Sequence, residues 1–311
     1  MKDLPNWLEI DPEVRGALDS LRPVVALESS VWALGLPRPM NLEVALETCA
    51  AIRDRGAVPA IVGIRDGKAR IGLNQADLEA LCGRHETDKV GVGDLPGVLI
   101  RKRHGATTVS AALRLAQRVG IEVFVTGGLG GVHPEWQRHL DISSDLGELT
   151  RTRCLTVCSG VKSVLDTPTT VELIETLGIP LALYGTDHFP CFFASGFEIG
   201  IGFRVDSPWE AATAHRMALE TIGCGLVVAS PAPAASCIPT ADIHEWLREG
   251  LLRAELERRG AKELTPFLLD YLARASDGAT LETYRALMIS NARLGAEIAM
   301  QLANQQAEVP T

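Results

Sequence analysis

Aromatic residues make up only 5% of this 311-residue chain, and no lysine-arginine cluster interrupts a formal net charge of −9. A nucleic-acid surface needs concentrated positive charge to displace counterions, so that partner class is excluded. A small anion is not excluded, because a local site can oppose the sign of the whole molecule. No apolar run reaches bilayer length; GLVVASPAPAASCIP is too short and is broken by proline. The first residues, MKDLPNWLEIDPEV, lack the basic flank and apolar centre of a secretory signal. Seven cysteines, an odd number, lie apart without C-x-x-C spacing, which argues against structural zinc. Cys154 and Cys158 sit in apolar runs and read as small core residues. Together these absences predict a cytoplasmic protein with neither a membrane nor a nucleic-acid partner.

What is present is an ordinary globular composition, 46% hydrophobic and 22% charged. Residues 1–23 read as a loose arm and 305–311 as a tail, leaving 24–304 as one catalytic-sized domain. Val24 to Leu27 is a short apolar strand that delivers Glu28 at its end. Asn41 is the expected cap of a helix closed by Gly56. AVPAIVGIRDGKARIGL reads as a hairpin turning at Asp66 and Gly67. Gly105, Thr107 and Thr108 precede an amphipathic helix that ends at Gly120. Val164 to Leu177 is helical in period, with Pro168 as an early interruption. Ser207 caps a helix with Pro208 in its first turn, and the chain beyond Pro239 is helical, with Tyr284, Leu287, Met288 and Asn291 on one face of the last helix. Strands alternating with helices, plus one hairpin, predict an α/β fold with a mixed sheet and a helical C-terminal region.

The most unusual punctuation lies between Val123 and Lys162. A β-branched strand ends at Thr126 and runs into Gly127, Gly128, Gly130 and Gly131; then DISSDL places Asp141 and Asp145 around two serines. A second apolar run, Cys154 to Cys158, leads through Ser159 and Gly160 to Lys162. Taken singly these are two strand-to-helix turns, with glycine for geometry and lysine for solubility. Taken together, Glu28, Thr126, Lys162 and Ser230 each stand at the carboxyl end of a strand, where α/β sheets bind ligands.

ALESS, KRHGATTVSAAL, VFVTGGLGGVH, DISSDL, CSGVKSVLDTP, TDHFP, FRVDSP and KELTPFLL, in that order, resemble the pseudouridine-5′-phosphate glycosidase family. The resemblance spans almost the whole chain. It implies a three-layer α/β/α fold, a homotrimer, and an enzyme that makes or breaks the carbon–carbon bond between ribose 5-phosphate and a ring acceptor. Lys162 aligns with the family's Schiff-base lysine, which must be neutral to attack. Glu28 aligns with the general acid and Lys89 with the lysine that handles the proton on the base side. Asp141 aligns with the residue near a divalent ion, usually manganese, and a single carboxylate implies a mostly hydrated metal. Ser143, Ser144 and Asp145 align with one part of the substrate pocket, and Thr108 and Val109 with another; hydroxyls and N–H groups at helix starts suit a phosphate. Thr126 and His133 flank the glycine run and are expected to face the acceptor.

The chain also departs from the family pattern. Leu34 stands where histidine is usual, His188 replaces an acid in TDHFP, Ser230 replaces asparagine, and Ser290 replaces the first of two asparagines before Asn291. With the sugar chemistry retained and Ser230 expected at the acceptor wall, these departures point to C-ribosylation of a non-uracil ring in natural-product biosynthesis. Cleavage of pseudouridine 5′-phosphate into uracil and ribose 5-phosphate is the alternative. A catalytically inactive binding protein is disfavoured by the retention of Glu28 and Lys162.

Overall fold

The computed structural model describes residues 4–83, 86–134, 136–194, 199–257 and 261–307. Its strands, in chain order, are β1 (Leu8–Ile10), β2 (Val24–Leu27), β3 (Val58–Arg65), β4 (Lys68–Ile71), β5 (Asp88–Val90), β6 (Gly105–Thr107), β7 (Val123–Val125), β8 (Leu155–Cys158), β9 (Leu181–Tyr184), β10 (Phe203–Val205) and β11 (Val227–Ala229). They form one mixed sheet in the order β1-β4-β3-β2-β7-β8-β11-β9-β10, with β6 added to β3 and β5 to β6. From β3 through β10 that path is parallel; the Asp66-Gly67 hairpin supplies the antiparallel β3–β4 pair. Both turn residues take positive φ, 52° and 72°, as a tight two-residue turn requires. Every residue of β2, β7, β8 and β11 is buried, which is why these runs are continuously apolar rather than alternating.

Helices cover the sheet to give three layers. The last helix, Ala279–Ala307, lies along β2, β7 and β8 and packs on the helices Met40–Arg53 and Pro208–Thr221. The helix Val109–Arg118 packs against β2, β3, β4 and β6. The sheet register is what assembles a site. Leu27 of β2 pairs with Val125 of β7, Val125 with Val157 of β8, and Cys158 with Ala229 of β11. The residues that follow these strands therefore emerge side by side along one edge.

Several expectations need correction. The supposed N-terminal arm contributes β1 and the helix Pro12–Asp19, and Leu8, Ile10, Val14 and Ala17 are buried. β1 pairs with β4, whose far side would otherwise be an open edge, and Glu9 between its two buried residues reaches Lys68 and Arg70. Asn41 lies inside its helix, whose cap is Pro39; its amide donates to the carbonyls of Trp32 and Cys82 and so ties two turns together. Pro168 does not interrupt a helix but opens one, Thr167–Thr176, with the Asp166 carboxylate accepting from the Thr169 N–H. The final helix runs past residue 304 to Ala307, and residues 308–311 lie outside the described residues. No helix among the described residues is long and apolar enough to cross a membrane.

Candidate active site

Glu28 leaves β2 into a buried position, 3% exposed. Two hydroxyls hold its carboxyl group: Thr126 Oγ1 donates to Oε1 at 2.5 Å and Ser30 Oγ donates to Oε2 at 2.9 Å. Thr126 follows the adjacent strand β7, and its own carbonyl accepts from Asn291 Nδ2 at 3.0 Å. The final helix thus braces the residue that braces the acid. Thr126 is fully buried against Glu28, which makes it a positioning residue for the acid.

Lys162 is aimed by the turn after β8. Gly160 there has φ of 80°. The Ser159 N–H donates to the Gly127 carbonyl at 2.9 Å, Leu129 N–H to Gly160 at 2.9 Å, and Lys162 N–H to Leu129 at 3.2 Å. These bonds lace the glycine run to the lysine turn. Lys162 is half-buried and shares a cleft with Glu28, Gly128, Phe192, Phe193 and Tyr284. Asp166, four residues on, is engaged as a helix cap.

A second cluster gathers polar groups at two helix starts. Thr108 precedes the helix Val109–Arg118, and Ser143 caps the helix Ser144–Leu149 by accepting from the Asp145 N–H at 3.2 Å. Ser110 Oγ lies 3.0 Å from Thr108 Oγ1 and 2.9 Å from Ser144 Oγ, and accepts from the Val92 N–H. Asp145 is buried, with Oδ1 accepting from the Ser110 N–H at 2.9 Å and Oδ2 from the Gly130 N–H at 3.0 Å. It therefore locks one helix start to the glycine run. The Val109 side chain is wholly buried, so only its backbone can serve a ligand. Half-buried Thr108 and exposed Ser144 present hydroxyls and helix N-termini, the pattern that suits a phosphate.

Lys89, on β5, has an accessible side chain, yet the surrounding protein and then the Lys162 charge lower its pKa, while Asp145, Glu28 and Asp141 oppose the shift. The two lysines, the acid and the acidic pair thus act on one electrostatic field. His133 joins it from the glycine run: burial lowers its pKa against the pull of Asp141, whose Oδ2 lies 4.0 Å from Nδ1. That nitrogen is buried without a hydrogen-bond partner among the described residues, and Nε2 lies 3.4 Å from Thr265 Oγ1. No cluster of three or more His, Cys, Asp or Glu suited to a metal occurs among the described residues. One partly exposed carboxylate beside an unpartnered imidazole nitrogen fits a hydrated divalent ion with few protein ligands.

Three of the departures, Ser230, Ser290 and His188, fall elsewhere, whereas Leu34 ends the helix Ser30–Leu34, next to Gly35 of the cleft. Ser230 and Ser290 line a separate groove with Tyr184, Arg293 and Glu297, not the cleft of Glu28 and Lys162. Ser230 Oγ thus does not border that cleft, although its backbone sits in line at the end of β11 and its N–H donates to Cys158. His188 is exposed on its loop, where its N–H donates to Thr186. Sequence reading passed over Ser110, the hub of the hydroxyl cluster; Asn291 and Tyr284, noted only as a helix face; and Phe192, in a loop without periodic signal.

The sequence profile of the family described as "Indigoidine synthase A like protein" matches residues 13–301. A pseudouridine-5′-phosphate glycosidase from Streptomyces griseus is 46% identical over 311 residues, covering 97% of this chain and 96% of that relative. One from a Nocardioides species is 44% identical over 299 residues, covering 95% and 97%. Among solved structures, the prealnumycin C-glycosynthase AlnA in complex with ribulose 5-phosphate superposes with a TM-score of 0.90 at 34% identity, covering 98% of this chain and 100% of that one. An indigoidine synthase A-like protein from Thermotoga maritima gives 0.88 at 36%, covering 97% and 99%. The chain belongs to the indigoidine synthase A-like family and is an enzyme of the pseudouridine-5′-phosphate glycosidase and C-glycosynthase type.

Proposed function

We propose that this enzyme cleaves and forms the carbon–carbon bond between ribose 5-phosphate and uracil through an imine at Lys162. The observation that carries the reading is the single cleft lined by both Glu28 and Lys162, a proton donor for the sugar and an amine for its anomeric carbon. In cleavage, Glu28 gives its proton to the ribose ring oxygen as the bond from that oxygen to the anomeric carbon breaks. The neutral Lys162 amine bonds to that carbon. The carbon–carbon bond then breaks, the nitrogen lone pair forming the imine while the ring carbon takes a proton, assigned to Lys89. Water hydrolyses the imine, releasing ribose 5-phosphate and free lysine. The pocket of Thr108, Ser110, Ser143 and Ser144 takes the phosphate. A divalent cation, manganese by resemblance, would be held by Asp141 with His133 beside it, and would neutralise charge near the sugar phosphate.

The relatives named for pseudouridine 5′-phosphate, at 44% and 46% identity, support uracil as the acceptor. A second reading, C-ribosylation of a different ring, is supported by the AlnA likeness and by the apolar wall of Phe192, Phe193, Leu269 and Leu281. The Ser230 and Ser290 substitutions no longer argue for it, since they line another groove. Incubation with pseudouridine 5′-phosphate tests the choice. The account expects uracil and ribose 5-phosphate in equal amounts, at ~10,000 per molar per second or better, within the range of working enzymes. A parent enzyme that binds ribose 5-phosphate but leaves pseudouridine 5′-phosphate intact would move the conclusion to the second reading.

A further inference from the structure

Tyr284, on the final helix, is 5% exposed and lines the cleft beside Glu28 and Lys162. Its hydroxyl has no hydrogen-bond partner among the described residues. Buried polar groups are nearly always satisfied, so an unsatisfied one in a cleft marks a place for a ligand atom. The ring is fenced on two sides. A Cβ added at Gly127 would stand 2.7 Å from Tyr284 Cε2 and 3.1 Å from its oxygen, so the glycine backbone lies directly against it. Phe192 meets it edge-on at 6.0 Å between centroids and 61°, and lies against Phe193 in turn, tilted by 43° with centroids 4.4 Å apart. Burial and the nearby Glu28 charge raise the phenol pKa well above its usual value, so the hydroxyl remains a donor.

The other polar side chains that line the cleft are already employed. Both Glu28 oxygens accept from hydroxyls and its proton serves the sugar, Lys162 serves the anomeric carbon, and Thr280 Oγ1 lies 3.2 Å from Ser276 Oγ. Among the described side chains lining the cleft, that leaves the Tyr284 hydroxyl as the uncommitted donor, set in an aromatic wall. We infer that the Tyr284 hydroxyl donates a hydrogen bond to a carbonyl oxygen of the ring acceptor while Phe192 and Phe193 pack against the ring. The acceptor class is a planar heterocycle or aromatic ring bearing a carbonyl, uracil included. This rests on the imine reading above and names the residue that recognises the half of the substrate that reading leaves open.

Tyr284→Phe removes one oxygen and keeps the ring that the fold packs. Two quantities are measured on parent and variant: borohydride trapping of ribose 5-phosphate on Lys162, and steady-state synthesis from ribose 5-phosphate and uracil. The expected result is a KM for uracil raised roughly tenfold to a hundredfold, the effect of stranding a buried carbonyl, with trapping changed less than about twofold. Inhibition by 2-pyrimidinone and 4-pyrimidinone, each lacking one carbonyl, supplies the pairwise check. One of the two binds the variant as well as the parent, because the carbonyl that Tyr284 would meet is already gone. An unchanged uracil KM overturns the assignment. A loss of trapping equal to the loss of synthesis also overturns it, by placing Tyr284 on the sugar. Trapping by a parent that takes no uracil overturns the inclusion of uracil in the class and with it the assignment of Tyr284 to a uracil carbonyl, whereas no trapping in the parent removes the imine reading and the proposal with it.

Discussion

Replacing Gly160 with alanine puts a methyl group where the backbone allows none. At φ of 80° an L-residue costs ~1–2 kcal/mol. The new Cβ would stand 1.9 Å from the Pro190 carbonyl oxygen and 2.9 Å from its carbon. A backbone oxygen cannot swing aside as a side chain can, so the turn or the facing loop must shift, adding ~1–3 kcal/mol of overpacking. The sum, about 2–5 kcal/mol, lowers the melting temperature by roughly 4–10 °C if each kcal/mol costs about 2 °C in a chain of this size. Lys162 follows two residues later on a turn whose Gly160 carbonyl is bonded to Leu129. A displacement near 1 Å at a reacting group costs ~100-fold in rate. Differential scanning calorimetry and the rate of borohydride trapping read the two effects. Gly178→Ala is the control: it has φ of 64° but nothing within 4 Å, so it should lose only the conformational part and trap normally. A Gly160→Ala enzyme that melts and traps like the parent would refute the claim that this turn aims the lysine.

Asp145→Asn keeps the shape but sets an amide N–H₂ against the Ser110 or Gly130 N–H. It should cost ~1.5–3 kcal/mol of stability and raise the KM for ribose 5-phosphate; a stable variant with normal KM would show the carboxylate is not the lock. Lys89→Gln removes the proton and should slow cleavage by ~100- to 10,000-fold while imine trapping persists; equal loss of both would assign Lys89 to the sugar. Because burial and the Lys162 charge lower the Lys89 pKa, parent cleavage, which needs its protonated form, should decline with rising pH before 10.5. Burial lowers the His215 pKa from 6.5 to about 4, and its Nδ1 accepts from the Leu226 N–H. The unfolded chain takes up that proton below 6.5 and the folded one does not until about 4, so stability is full above 6.5 and falls by about 3 kcal/mol across that window. His215→Met should flatten that part of the pH–stability curve; an unaltered curve would clear His215 of the effect.

The sequence made the catalytic ends of the sheet legible because each is a local signal. An apolar run stops, and a carboxylate, threonine or lysine follows, as at Glu28, Thr126 and Lys162. Caps such as Ser143 and Ser207 were readable for the same reason, being fixed by neighbours within three residues. What could not be read was set by distant partners. β1 forms only because β4 offers it an edge, 61 residues away at every pair, with nothing local to announce it. β6 is three residues of Gly-Ala-Thr, a strand by virtue of its places beside β3 and β5. Ser230 lies at a strand end as expected, but it lines a groove with Ile289, Ser290 and Arg293 of the final helix, whereas Tyr284 of that helix lines the Glu28 cleft. Tyr284 shows the converse: its period placed it in the core, while its orphaned hydroxyl becomes visible only once Gly127 and Phe192 are beside it.

The most direct test of the account is reduction of the enzyme–sugar imine. The protein is incubated with ribose 5-phosphate and borohydride, digested, and mapped by mass spectrometry. The account predicts a reduced sugar-phosphate adduct on the peptide carrying Lys162, absent from Lys162→Ala and strongly slowed in Glu28→Gln, where ring opening lacks its acid. An adduct on Lys89 instead, or none in the parent while pseudouridine 5′-phosphate is still cleaved, would contradict it.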